Sequence, residues 1–220
     1  LNPNTPYDPM KDLTPVSQVA AAPYVLLVHP SVPAKSVKQL VALAKSRPGK
    51  MNFSSGGTGV GIHMAGELFK IAAGVQIVHV PYKGAAPAMT ALMAGEVDMM
   101  FNGMSPALPH IKSGKVRVLA VGGDKRSTLF PELLTVKESG FDFNTEGWYG
   151  VVAPRGTSPA VVDTLYKALV KALGSPQLQV QMTKLAVELI GTTPTEFAGL
   201  IREEHSKWGK VIKSAGLTVK

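Results

Sequence analysis

An α/β fold with a largely parallel sheet is predicted by three features of this sequence. Short apolar, β-branched runs of strand length (Val75–Val80, Val97–Phe101, Val116–Val121) alternate with segments whose apolar residues recur at helical spacing. Pro48-Gly49, Pro81, Gly95, Gly114 and Gly122-Gly123 punctuate the connections. The sharpest polar features are the Ser55-Gly56-Gly57-Thr58-Gly59 loop, the Tyr82-Lys83-Gly84-Ala85 turn and Asn102, and each follows a predicted strand. In parallel sheets ligands bind beyond the carboxyl ends of the strands, so these points nominate a single site.

Residues 1–15 hold four prolines and read as an exposed loop. Val16–Ala22 and Tyr24–His29 are extended, with Pro23 between them at an edge or a crossover. Ser36 caps a helix that runs to about Ser46 and is stopped by Pro48-Gly49. Met51–Ser54 is a short strand. The glycine loop follows it, then a helix with Ile62, Leu68, Phe69 and Ala72 at helical spacing. After Val75–Val80 and the Tyr82 turn, a short helix covers Pro87–Met93 and the strand Val97–Phe101 delivers Asn102. A helix over Pro106–Lys112 and the strand Val116–Val121 come next. Asp124–Thr145 is charged and irregular, and Trp148–Ala153 is a strand. The tail is helical: Pro159–Leu173 capped by Ser158, Pro176 to about Leu185, and Pro194–Ala215, which opens on Thr193-Pro194-Thr195-Glu196.

A chain of 220 residues can bury a real core, as one large domain or two small ones. Its 45% hydrophobic and 17% charged content is that of an ordinary soluble globular protein. The net charge of +8 is spread singly (Lys35, Lys38, Lys45, Arg47, Lys50), and aromatic residues make up only 6%. That combination offers no stacking surface for nucleic acid, and leaves a solvated basic face with a mild field for anions. The lack of cysteine excludes thiol catalysis, disulfides and cysteine zinc sites, and fits a secreted or periplasmic protein. No apolar run approaches the roughly 18 residues of a membrane span. With Leu1 first and no signal peptide, the chain is expected to be a processed product or an excised fragment.

A strand, a glycine-rich turn and a helix start together make an anion cradle, because the first amides of a helix lack partners and sit at its positive end. Two such cradles are predicted side by side, at Ser55–Gly59 and at Tyr82–Ala85. The candidate ligand-binding residues are Ser55, Gly57, Thr58, Gly59, His63, Tyr82, Gly84, Ala85 and Asn102. Gly57 and Gly59 also read as plain turn glycines, Ser55 and Thr58 as loop-bonding hydroxyls, and His63 as a packed helix histidine. Tyr82 suits packing as well as a ligand bond, and Asn102 reads equally as a turn residue. His63 and Glu67 form an i,i+4 pair with no third ligand suggested, which argues against a metal site. No cofactor is called for. Trp148 and Trp208 are expected to pack, Trp208 with Val211 and Ile212.

The blocks SSGGTGVGIHMAGELFK, HVPYKGAAPAMTALMAGEVDMMF, GKVRVLAVGGDKR, WYGVVAPRGTSP and EEHSKWGKVIKSAG stand in the order seen in one receptor family. Through them the chain resembles the periplasmic substrate-binding receptors of tripartite tricarboxylate transporters, the Bug receptors. The resemblance covers essentially all 220 residues. It implies a periplasmic-binding-protein-like fold, type II, in which two α/β lobes close like a Venus flytrap on a mono-, di- or tricarboxylate. It also implies delivery of that ligand to a membrane permease. Mapped here, residues 1–22 are a loop and crossover strand, 23–120 a complete lobe with both cradles, and 121–220 part of the other lobe. Val16–Ala22 and Val118–Gly122 would form the hinge. Relatives begin with further strands and helices, including a glycine-rich loop that grips one carboxylate, so the first lobe is expected to be incomplete. Relatives also carry Ser or Thr where this chain has Val60, a helix-start hydroxyl worth on the order of 1 kcal/mol.

Two other readings stand beside the receptor. A fragment without ligand affinity could serve as an interaction module, with a homodimer formed through the incomplete lobe. A hydrolase would use Ser54 or Ser55 with His63 or His79, although no nucleophile elbow or phosphate loop is present.

Overall fold

A computed structural model describes residues 5–218. The chain divides into two compact units, Pro23–Gly147 and Leu1–Ala22 with Trp148–Lys220. Strand β1 (Leu13–Val28) belongs to both. It is continuous through Pro15 and Pro23, where the sequence suggested a loop followed by two extended pieces. Pro23 is tolerated because it lies between two ladders: Ala21 is paired with Glu188, whereas Tyr24 is paired with Gly103. The part of the expected loop over residues 1–4 lies outside the described residues.

In the Pro23–Gly147 unit the elements are α1 (Val37–Ser46), β2 (Asn52–Ser55), α2 (Gly61–Ala73), β3 (Val78–Pro81), α3 (Ala85–Ala94), β4 (Met99–Gly103), α4 (Met104–Lys112) and β5 (Arg117–Val121). The strand order is β3-β2-β4-β1-β5. The sheet is mixed rather than largely parallel. β3, β2 and β4 run together, and β1 enters antiparallel between β4 and β5. Both β1 neighbours are strands, so Val25, Leu26, Leu27 and Val28 are fully buried.

The core is aromatic at its centre. Phe101 stacks on Phe143 at 5.2 Å between ring centroids, and Phe69 lies 5.8 Å from Phe101. Val136 and Phe143 come from the irregular stretch after β5, and their burial explains why residues 121–147 join this unit instead of the other. Gly122 fastens that stretch: its N–H donates to Tyr24 O at 2.7 Å, and its carbonyl accepts from Thr145 N–H at 2.9 Å. Helix α1 starts on the Ser36 side chain, and α2 stops at Gly74 in the left-handed conformation.

The second unit holds β6 (Glu146–Pro154), α5 (Pro159–Leu173), α6 (Pro176–Lys184), β7 (Glu188–Leu189) and α7 (Pro194–Ser214), with β6 and β7 pairing on β1. Helix α7 opens on a complete capping box, Thr193 with Glu196. Trp148 meets the buried Phe197 edge-on at 5.6 Å. The half-buried Trp148 and Trp208 are tied by their indole N–H groups to Glu204, at 3.4 and 2.7 Å.

Helix α2 lies flush on β2 at one point. A Cβ on Gly66 would fall 2.2 Å from the Phe53 ring, and both residues are buried. Gly66→Ala is therefore expected to destabilise the chain by about 1–3 kcal/mol, by overpacking, despite the better helix propensity of Ala. Urea denaturation checks this.

Candidate functional site

The parallel strands bring their carboxyl ends to one edge, with Ser55 paired to Pro81 and Ser54 to Met100. Both predicted loops leave the sheet there, and they are sewn together through the backbone. Tyr82 N–H donates to Ser55 O at 2.8 Å, and Gly84 N–H donates to Gly56 O at 3.1 Å. Gly56 permits this approach: a Cβ would sit 2.8 Å from the Ala85 nitrogen and 2.9 Å from the Gly84 carbonyl carbon. Gly57, Gly59 and Gly84 have φ of 136°, 84° and 124°, values that L side chains rarely adopt.

Three of the nominated amides are engaged inside the loops. Gly57 N–H donates to Ser55 Oγ at 3.2 Å, Gly59 N–H to His63 Nδ1 at 3.0 Å, and Gly84 N–H to Gly56 O. The glycines shape the cradles. Amide donors stand just beyond them: among the described residues, the N–H groups of Gly61 and Ile62 on α2 and of Ala85 and Ala86 on α3 have no protein acceptor. Gly61, Ala85 and Ala86 are exposed, as is Thr58. Two helix N-termini thus present donors from adjoining loops to the same solvent edge. Tyr24 is a neighbour that sequence pattern did not nominate. Its hydroxyl lies against Gly61, where a Cβ would come within 2.4 Å.

A buried polar layer lies beneath the glycine loop. Ser55 is fully buried, and its Oγ is 2.6 Å from His79 Nε2 and 2.9 Å from Gly57 O. The His79 ring stacks on that of His63 with centroids 3.8 Å apart. His63 is 1% exposed, and its Nε2 points towards Glu67 Oε1 at 3.6 Å. Glu67 is gripped by Lys70 at 2.7 and 2.9 Å. Val60 occupies the α2 N-cap with no side-chain bond. His63 instead reaches back from the third helical position to hold Gly59, as the acidic residue of a capping box would.

The other nominated residues border this edge. The Tyr82 hydroxyl donates to Glu96 at 3.4 Å, and the Asn102 amide oxygen accepts from Gly103 N–H at 2.9 Å. Ser54 is buried and donates to Ala88 O at 3.1 Å. A Ser–His contact does exist at Ser55, but neither serine of the hydrolase reading reaches solvent.

Burial, together with the neighbouring His63 imidazole, pushes the His79 imidazole down from 6.5 to about 4. Burial pushes Glu67 up, but His63 and Lys70 outweigh it and hold the carboxyl below its ordinary range. Both shifts act in one direction. Below about pH 6.5 the unfolded chain takes up a proton that folded His79 refuses, so stability falls as pH drops from there to about 4. The expected loss is on the order of 2–3 kcal/mol, read by denaturation against pH, and His79→Gln should flatten the slope.

The family description that matches this chain, over residues 1–217, is "Tripartite tricarboxylate transporter family receptor". Protein BugT of Bordetella pertussis is 34% identical over 221 aligned residues, covering 100% of this chain and 68% of BugT. The solved structure of R. palustris Rpa4515 with adipate is 34% identical, with a TM-score of 0.88, over 98% of this chain and 73% of that one. MatC (Rpa3494) of Rhodopseudomonas palustris with bound malate is 30% identical, with a TM-score of 0.83, over 96% and 74%. The chain thus spans about two thirds to three quarters of these relatives. Among the described residues no helix is long and apolar enough to cross a membrane. Sequence and fold agree that this chain belongs to the tripartite tricarboxylate transporter receptor family, a family of binding proteins and not of enzymes.

Proposed function

We propose that this chain is the solute-binding part of a periplasmic receptor that takes a small carboxylate and delivers it to the permease of a tripartite transporter. The observation that carries the reading is the pair of adjoining helix N-termini, α2 and α3, with the amides of Gly61, Ile62, Ala85 and Ala86 unpaired at one edge. The adipate in Rpa4515 and the malate in MatC supply the ligand class. In this reading Thr58 and Ala85 face the carboxylate, Gly57, Gly59 and Gly84 shape the loops, and Ser55 and His63 brace them from below. Tyr82 and Asn102 frame the edge. No group in the set needs to donate or accept a proton for binding, which suits a receptor.

Calorimetric titration with adipate and malate tests the proposal. One of them is expected to bind, and Gly56→Ala, which forces the two loops apart, should weaken that binding by at least about tenfold. An affinity unchanged in Gly56→Ala, or no heat from any carboxylate, contradicts it.

A second reading concerns self-association of the Trp148–Lys220 part. Val161, Leu165 and Val170 of α5 and Val180 of α6 are each at least 40% exposed, and α6 buries no residue. Apolar side chains presented in this way favour pairing of two copies. Light scattering should give a mass that rises towards the dimer with concentration; a monomer mass throughout contradicts this.

A further inference from the structure

We propose that His63 is the positioning residue of the carboxylate loop: its Nδ1 lone pair holds Gly59 and thereby sets the α2 amides, so that a proton on His63 releases the ligand. The inference rests on the carboxylate reading of the same loops. It starts from an asymmetry around one buried ring. Nδ1 accepts the Gly59 N–H at 3.0 Å, which requires an unprotonated nitrogen and places the proton of the neutral ring on Nε2. Nε2 is buried and has no hydrogen-bond partner among the described residues. Glu67 Oε1 stands 3.6 Å from it, just beyond hydrogen-bonding reach.

A second proton has one place to go, Nδ1, and there it would face the Gly59 N–H with a like dipole. The bond to Gly59 is then lost. The imidazolium then keeps Glu67, on its own helix, as the carboxylate beside it. The titratable groups that face it are Glu67 and Lys70 on α2 and His79 on β3. β2 contributes the Phe53 ring and, through His79, the Ser55 hydroxyl, neither of which carries charge at these pH values. Gly59 immediately precedes Val60, the N-cap of α2, and the Val60 side chain supplies no cap bond. Losing Gly59 therefore frays the helix start whose first amides form half of the proposed anion site.

Asparagine separates this device from simple packing, because its amide oxygen can take the place of Nδ1 as an acceptor and does not titrate. Two readouts are compared in wild type, His63→Asn and His63→Leu. In the free chain, the Gly59 amide resonance should move as the pH is lowered from about 7.5 to about 5 in wild type and stay put in His63→Asn. Adipate affinity in wild type should fall across the same interval by about tenfold more than in His63→Asn. The titration of adipate itself is common to both proteins and cancels in that ratio. His63→Leu, with no acceptor, should bind more weakly than His63→Asn at every pH. A Gly59 amide that does not respond to acid, or equal pH ratios in wild type and His63→Asn, overturns the inference. Failure of adipate to bind anywhere would count against the carboxylate reading instead, and the Gly59 titration would still decide the role of His63.

Discussion

The short seam between the glycine loop and the Tyr82 turn is the constraint on which the site depends. Two backbone hydrogen bonds, from Tyr82 to Ser55 and from Gly84 to Gly56, hold together the starts of two helices that belong to different strand–helix units. Like ends of two helix dipoles repel, and each leaves orphan amides that a folded chain ordinarily satisfies or exposes to water. Here those of Gly61, Ala85 and Ala86 belong to exposed residues at the same edge. The register of β2 against β3 makes this possible, since Ser55 and Pro81 end their strands side by side. The absence of a side chain at Gly56 then allows the turns to touch. A bound anion would relieve the repulsion between the two positive ends, which links the stability of the seam to occupancy of the site.

The layer below the loop fixes its shape. Buried polar groups are costly unless paired, and this set is paired nearly throughout: Ser55 to His79 and Gly57, Gly59 to His63, Glu67 to Lys70. The exception is His63 Nε2. The His63 and His79 rings stack beneath the glycine loop, and the depressed basicity of His79 follows mainly from its burial there.

Much of this was legible in the sequence. Glycine-flanked loops after β-branched runs located both cradles, and Ser158 with Pro159 and Thr193 with Pro194 marked the starts of α5 and α7. Periodicity could not reveal that β1 passes through two prolines, because the pairing that tolerates Pro23 comes from strands far along the chain. Nor could composition show that Val136 and Phe143, in a charged and irregular stretch, fill the same core as Phe69 and Phe101. At the site, glycines drew attention as donors, yet their amides are spent on holding the loops. Of the four unpaired donors Ala85 was nominated from the sequence, whereas Gly61, Ile62 and Ala86 were not, since their side chains carry no signal. Tyr24 was missed as a site neighbour because a strand brings it there and no local motif announces it, and His79 was named from the sequence only as a partner of Ser54 or Ser55 in the hydrolase reading.

Amide-resolved NMR titration of the chain with adipate tests the central claim most directly. The account predicts that the resonances of Gly61, Ile62, Ala85 and Ala86 move together along one saturating curve, since one carboxylate would face both helix starts. Shifts confined to a single loop, or to residues 148–218, would contradict it.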